Sequence, residues 1–170
     1  MLDFLDEQRM GRLYEKFILE YYRKEHPILH AQSGRINWAL DTQNDAMLPI
    51  MQSDVMLTHQ DKVLILDAKY YASTTQSRYD AHTIHSGNLY QIFTYVKNQA
   101  EKGGEVSGLL LYARTDEKIQ PDADYMMSGI RISVKTLDLD CDFSRVARQL
   151  DVIAEQFTGT GDRASDGTIG

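Results

Sequence analysis

Asp67 and Lys69 stand two residues apart at the end of an apolar run, Val63, Leu64, Ile65 and Leu66. In an extended strand residues two apart leave the same face, so a carboxylate and an ammonium become neighbours while Ala68 points into the opposite layer. Asp54 lies near the start of the preceding extended run, and pairing of the two runs brings its carboxylate towards Asp67. Two carboxylates, one backbone carbonyl such as that of Ala68 and several waters make a set that suits Mg²⁺, which prefers oxygen and keeps much of its hydration shell. A metal held there would polarise a phosphodiester oxygen and lower the pKa of a bound water. Lys69 could orient the attacking water or neutralise charge developing on the phosphate. A plain Asp67–Lys69 salt bridge, where the strand emerges into solvent, is the alternative that spacing alone leaves open. The apolar context favours a site, because a charged pair directly after four aliphatic residues must be paired, solvated in a cleft or ligated.

The elements that would position these residues can be followed along the chain. Met10, Leu13, Tyr14, Phe17, Ile18 and Tyr21 fall at three-and-four spacing and predict a long amphipathic helix running to about Arg23, ended before Pro27. Ile36, Trp38 and Leu40 alternate with polar residues and predict a half-exposed strand, followed by a polar loop over 41–46. Residues 53–57 and 63–68 flank the polar tetrapeptide His59, Gln60, Asp61, Lys62 in a hairpin pattern, and the second run has the unbroken apolarity of a strand covered on both faces. A polar stretch rich in Ser, Thr and His leads to a second helix at about 87–102, closed by Gly103 and Gly104. Two more strands, 106–112 and 130–137, are separated by a polar excursion at 115–124, and a third helix spans 143–157. This order implies an α/β domain over 1–157, a mixed central sheet flanked by helices, with a flexible tail at 158–170.

Size and charge bound the reading. A chain of 170 residues, 42% hydrophobic and 25% charged, has the length and composition of one globular domain. No apolar run approaches a bilayer span and the first ten residues are acidic and mixed, so the expectation is a cytoplasmic protein without membrane contact. A single cysteine, Cys141, cannot form an internal disulfide. The net charge of -7 is the wrong sign for a chain that grips a phosphate backbone unaided, so a partner would have to supply basic surface.

The hairpin carries a more specific likeness. Asp54-Val55-Met56, followed by Leu64-Ile65-Leu66-Asp67-Ala68-Lys69-Tyr70-Tyr71, resembles the active-site hairpin of the PD-(D/E)XK nucleases. More narrowly it resembles the C-terminal nuclease domain of McrC, the cleavage subunit of the McrBC modified-cytosine restriction system. Gly11 to Phe17 in the first helix, Asn88 to Ile92 in the second and Gly108 to Tyr112 in the strand after it fit the same likeness. Ser53 stands where the motif has its proline. The resemblance implies a restriction-endonuclease-like αβββαβ core, with Asp54 and Asp67 as metal ligands and Lys69 as the catalytic lysine. It implies Mg²⁺, with Mn²⁺ able to substitute, and a DNA substrate containing modified cytosine. It also implies an McrB-like GTPase partner, engaged in such proteins by an N-terminal region, whereas this chain begins almost directly with the nuclease helix. A homodimer would allow both strands to be cut. A catalytically idle subunit that keeps the fold, or another PD-(D/E)XK activity such as an exonuclease or junction resolvase, are the competing functions.

The likeness also singles out Glu15, which matches the place where many such nucleases hold an extra acid that binds metal through water; a solvated helix glutamate is the alternative. Gln91 and Tyr95, four apart and so on one helical face, resemble the Gln-x-x-x-Tyr element of RecB-like nucleases and could contact DNA or buttress Lys69. Tyr95 as a half-buried aromatic fits as well. His82 and His85, three apart, make a weak transition-metal pattern. Arg78, Lys97 and Arg114 could meet phosphates, Tyr70 and Tyr71 are expected to pack, and His26 and His30 carry no assigned role.

Overall fold

The computed structural model describes residues 4–71, 75–78 and 81–160, with backbone alone at 75–78, 81 and 82. The first helix, α1 (Phe4–Glu25), has Asp6 and Glu7 in its first turn and Arg23 and Lys24 in its last, which complements the helix dipole. Its buried stripe is Tyr14, Ile18, Tyr21 and Tyr22. Pro27 opens a single 3₁₀ turn, Pro27–Leu29, closed by His30 in the left-handed region.

The predicted strand around Trp38 is shorter than expected. Only β1 (Arg35–Ile36) forms, pairing with β2 (Met51–Gln52) in a sheet of its own. The register, Ile36 opposite Met51, would put Trp38 opposite Pro49, which has no N–H to extend the ladder. The loop is held by other bonds: the Trp38 indole donates to the Pro49 carbonyl at 2.7 Å, and the Ala39 amide donates to Asn98 Oδ1 at 2.8 Å.

The expected hairpin is present as β3 (Val55–His59) and β4 (Lys62–Lys69), joined at Gln60 and Asp61. A ribbon, β5 (Thr75–Arg78) with β6 (Ala81–Ile84), follows in what the sequence offers only as a polar stretch. Next come α2 (Ser86–Ala100), β7 (Glu105–Ala113), β8 (Ala123–Met127), β9 (Ile130–Leu137) and α3 (Phe143–Thr158). The central sheet has five strands in the order β3-β4-β7-β9-β8; β4-β7 and β7-β9 are parallel, and the two outer pairs are antiparallel. It is the mixed sheet flanked by helices of a restriction-endonuclease-like fold.

β8 begins inside the segment expected to be a polar excursion. It is an edge strand whose residues are exposed or half-buried, so it lacks an apolar face to betray it. The turn into β9 carries the signal: Ser128 (φ 53) and Gly129 (φ 75) are the two positive-φ residues of a tight hairpin turn.

β4 is covered on both sides, as its unbroken apolar run requires. Leu64, Leu66 and Ala68 face α1 and α3, packing with Tyr14, Tyr22 and Leu150. Ile65 faces α2, packing with Ile92 and Val96. Gly108 lets α2 lie close: a Cβ there would come within 2.9 Å of the Ile92 and Val96 side chains. The tyrosines of α1 fasten it from the other side, Tyr14 donating to the Leu111 carbonyl at 3.0 Å and Tyr22 to the Leu150 carbonyl at 2.9 Å. α3 ends at Thr158 with Gly159 as a left-handed cap, and of the tail expected over 158–170, residues 161–170 lie outside the described residues. No helix among the described residues is long and apolar enough to cross a membrane.

Candidate active site

The alternation that sends Ile65 towards α2 sends Asp67 and Lys69 the same way. Asp54 precedes β3, and continuing the register from Val55 opposite Leu66 sets it opposite Asp67. The Ala68 amide lies beyond the last β3 partner and donates instead to Asp54 Oδ2 at 2.8 Å. The Asp54 amide points at Asp67 Oδ1 across 3.4 Å, a long and weak bond. Lys69 Nζ donates to Gln91 Oε1 at 2.8 Å, and Gln91 Nε2 donates to the Tyr95 hydroxyl at 3.0 Å. Because an ammonium can only donate, the Gln91 amide must present its oxygen to Lys69, which fixes its orientation. The structure thus brings together Asp54, Asp67, Lys69, Gln91 and Tyr95.

Glu15 approaches from α1, the helix on the opposite face of the sheet. Its half-buried carboxyl is pushed up by burial first, with Lys69 and Arg12 pulling down and Asp67 adding to the rise. Asp67 is 1% exposed and its Oδ2 has no hydrogen-bond partner. Burial raises its pKa, against the pull of Lys69 and of the Asp54 amide. Burial, then the charges of Asp67 and Glu15, push the Asp54 carboxyl up to about 7. Three acids that each resist ionisation, beside one ammonium, form a cluster short of positive charge. Among the described residues no group of three or more His, Cys, Asp or Glu side chains is arranged to hold a metal ion, so the close acidic unit is the Asp54–Asp67 pair, without Glu15.

Residues 8–113 match the family model of the McrBC 5-methylcytosine restriction system component. The chain is 30% identical over 156 residues to a protein of Escherichia coli (strain K12) described as Type IV methyl-directed restriction enzyme EcoKMcrBC. That alignment takes in 89% of this chain and 44% of the relative, so the chain spans less than half the relative's length. This chain belongs to the McrBC family. The matched stretch of the McrBC model runs from α1 to the last residue of β7 and contains Glu15, Asp54, Asp67, Lys69, Gln91 and Tyr95. It makes the chain a homologue of a restriction-system subunit.

Within the McrBC-family fold a second polar group adjoins the first. Tyr71 OH donates to Asn88 Oδ1 at 3.2 Å, and Asn88 Nδ2 donates to the Tyr112 hydroxyl at 3.0 Å. Tyr112 is fully buried, and burial pushes its hydroxyl up to about 12 despite the bond from Asn88. Sequence reasoning expected Tyr71 only to pack and gave Asn88 and Tyr112 no role of their own within the stretches that carry the family likeness, although a tyrosine ending an apolar run such as Leu109, Leu110, Leu111 needs a partner for its hydroxyl. Tyr70 packs on Tyr14 with ring centroids 6.1 Å apart. His85 stacks against Tyr71 at 5.4 Å; the side chains of His82 and Arg78 lie outside the described residues. Arg114 pairs with Asp138 at 2.9 Å, and Lys97 lies on α2. His26, without an assigned role, proves structural: its Nε2 meets Asp151 Oδ1 at 2.7 Å, the oxygen that also accepts from Tyr21. Two cavities of about 580 and 470 Å³ lie along α3, and neither is lined by Asp54, Asp67 or Lys69.

Proposed function

We propose that this chain is the DNA-cutting module of a modification-dependent, McrBC-like restriction system, an endonuclease that hydrolyses phosphodiester bonds with Mg²⁺ or, in its place, Mn²⁺. The observation that carries the reading is the buried Asp67, with one oxygen unpartnered, beside Asp54 and on the same strand face as Lys69. A buried carboxylate with an open oxygen is costly unless something cationic completes it. Asp54, Asp67 and the Ala68 carbonyl would hold the cation with water filling the remaining positions, and Glu15 would reach it through water. When bound, Mg²⁺ supplies Lewis acidity towards a phosphodiester oxygen and acidifies a coordinated water. Lys69, held by Gln91, would direct its ammonium to the attacking water or to charge gathering on the phosphate. Tyr95 fixes Gln91 in turn.

The net charge of -7 leaves grip on DNA to other surfaces, which supports action alongside a basic or motor subunit. In this family the partner is an McrB-like GTPase and the substrate is DNA carrying modified cytosine, and we extend both to this chain, with a cytoplasmic site of action. Pairing of two copies would provide the two cuts of a double-strand break.

The test is reconstitution with the GTPase, Mg²⁺ and methylated plasmid, comparing wild type with Asp67→Asn and Lys69→Ala. Linearised plasmid from the wild type alone is the expected result. Folded variants that cut as well as wild type would remove these residues from the chemistry. A wild type that binds partner and DNA but never cuts would favour an idle scaffold.

A further inference from the structure

Asn88 lies in the first turn of α2 and is one of only four buried polar or charged side chains among the described residues. Asparagine is a poor helix former, and its amide tolerates burial only when its polar atoms find partners. Here the two ends of the amide are taken by two tyrosines, Tyr71 just past the end of β4 and Tyr112 on β7. Tyr71 follows Lys69 by two residues, and Tyr112 on β7 is the direct cross-strand partner of Lys69. Asn88 therefore fastens the start of α2 at two points close to Lys69, one further along its own segment and one on the neighbouring strand. Gln91, the acceptor for Lys69 Nζ, is three residues further along the same helix, and residues at that spacing share a face. Where the first turn is pinned decides where the Gln91 oxygen sits.

We propose that Asn88 is a positioning residue for Lys69, the Tyr71–Asn88–Tyr112 bridge fixing the height and rotation of α2 so that Gln91 meets the ammonium. The proposal rests on reading Lys69 as the catalytic lysine. Apolar contacts alone allow a helix to slide or roll by fractions of an ångström, whereas two directional hydrogen bonds, one to β7 and one to the segment that follows β4, restrain both motions. Displacements of about 1 Å in a reacting group can cost on the order of a hundredfold in rate.

The experiment uses the full chain as wild type, Asn88→Leu, Tyr112→Phe and Gln91→Leu. The first readout is the ¹³Cε and ¹Hε chemical shifts of Lys69, recorded without metal or DNA. The second is cleavage of methylated DNA with the GTPase present. Asn88→Leu and Tyr112→Phe are expected to move the Lys69 signals in the direction taken by Gln91→Leu. They should lower kcat roughly ten- to hundredfold while KM and Mn²⁺ affinity stay at the wild-type values. A folded Asn88→Leu chain whose Lys69 signals coincide with wild type overturns the proposal. Should Asn88→Leu fail to fold, Tyr112→Phe carries the same test, since it removes a single oxygen and keeps the ring. If the Lys69 signals respond but the wild type never cuts DNA, the placement of Lys69 by Asn88 stands and only the catalytic reading of Lys69 fails.

Discussion

The carboxylates of Asp54 and Asp67 are crossed through the backbone: Asp54 accepts the amide of the residue after Asp67, and Asp67 faces the amide of Asp54. Asp54 is thereby oriented by the strand that carries Asp67, while the return contact to Asp67 is the longer and weaker of the two.

Proton competition follows from that arrangement. With the Asp54 carboxyl at about 7, a cation binding there must displace a proton at mildly acidic pH. Mn²⁺ affinity measured by calorimetry is expected to fall about tenfold for each pH unit below that point. An affinity unchanged between about pH 5.5 and pH 8 would exclude Asp54 as a ligand.

The same shifts set the pH dependence of stability without metal. Asp54, Asp67 and Glu15 all have raised folded-state pKa values, so between about pH 4 and pH 7 the folded chain holds more protons than the unfolded one. Stability from these groups is present at the acid end of that window and lost as pH rises through it. Melting in EDTA should therefore give a lower Tm at about pH 8 than at about pH 5.5, with a smaller drop in Asp54→Asn. A Tm that climbs across this range in the wild type but not in the variant would contradict the assignment.

Asp67→Asn trades a buried charge for a neutral amide of the same shape. We expect it to abolish Mn²⁺ binding and, at about pH 8 in EDTA, to stabilise the chain by roughly 1–3 kcal/mol. Denaturant titration is the check, and a destabilised variant would mean that Asp67 is held by partners in the metal-free fold.

Lys69→Ala should separate binding from chemistry. Calorimetry should return the wild-type Mn²⁺ affinity, while cleavage with the GTPase present drops by at least about a hundredfold. Loss of metal binding together with cleavage would make Lys69 a support for the acidic pair.

Much of this was legible in the residues themselves. The apolar run before Asp67 marks a strand buried on both faces, and the two-residue step to Lys69 fixes their common side. Three-and-four spacing is equally plain in α1, α2 and α3. What escaped depends on partners distant in sequence. Trp38 alternates like a strand residue, yet the register sets it against Pro49, which cannot pair. β8 is exposed and shows no apolar face, so only its Ser128-Gly129 turn announces it. Asn88 looks like any polar residue near a helix start until Tyr71 and Tyr112 converge on it. The crossed amides of Asp54 and Asp67 are backbone geometry, which no side-chain pattern records.

The tyrosines of α1 join that helix to parts of the chain made much later. Tyr14 waits for Leu111, Tyr22 for Leu150, and Tyr21 for Asp151, separations of 97, 128 and 130 residues. The hydroxyl anchors of the helix that carries Glu15 therefore form only after β7 and then α3 have been made, although its apolar face already meets β3 and β4. Contacts of such long range slow folding. They also mean that the final seating of α1, and of Glu15 on it, waits for α3, whereas the Asp54–Asp67 pair is set within its own hairpin.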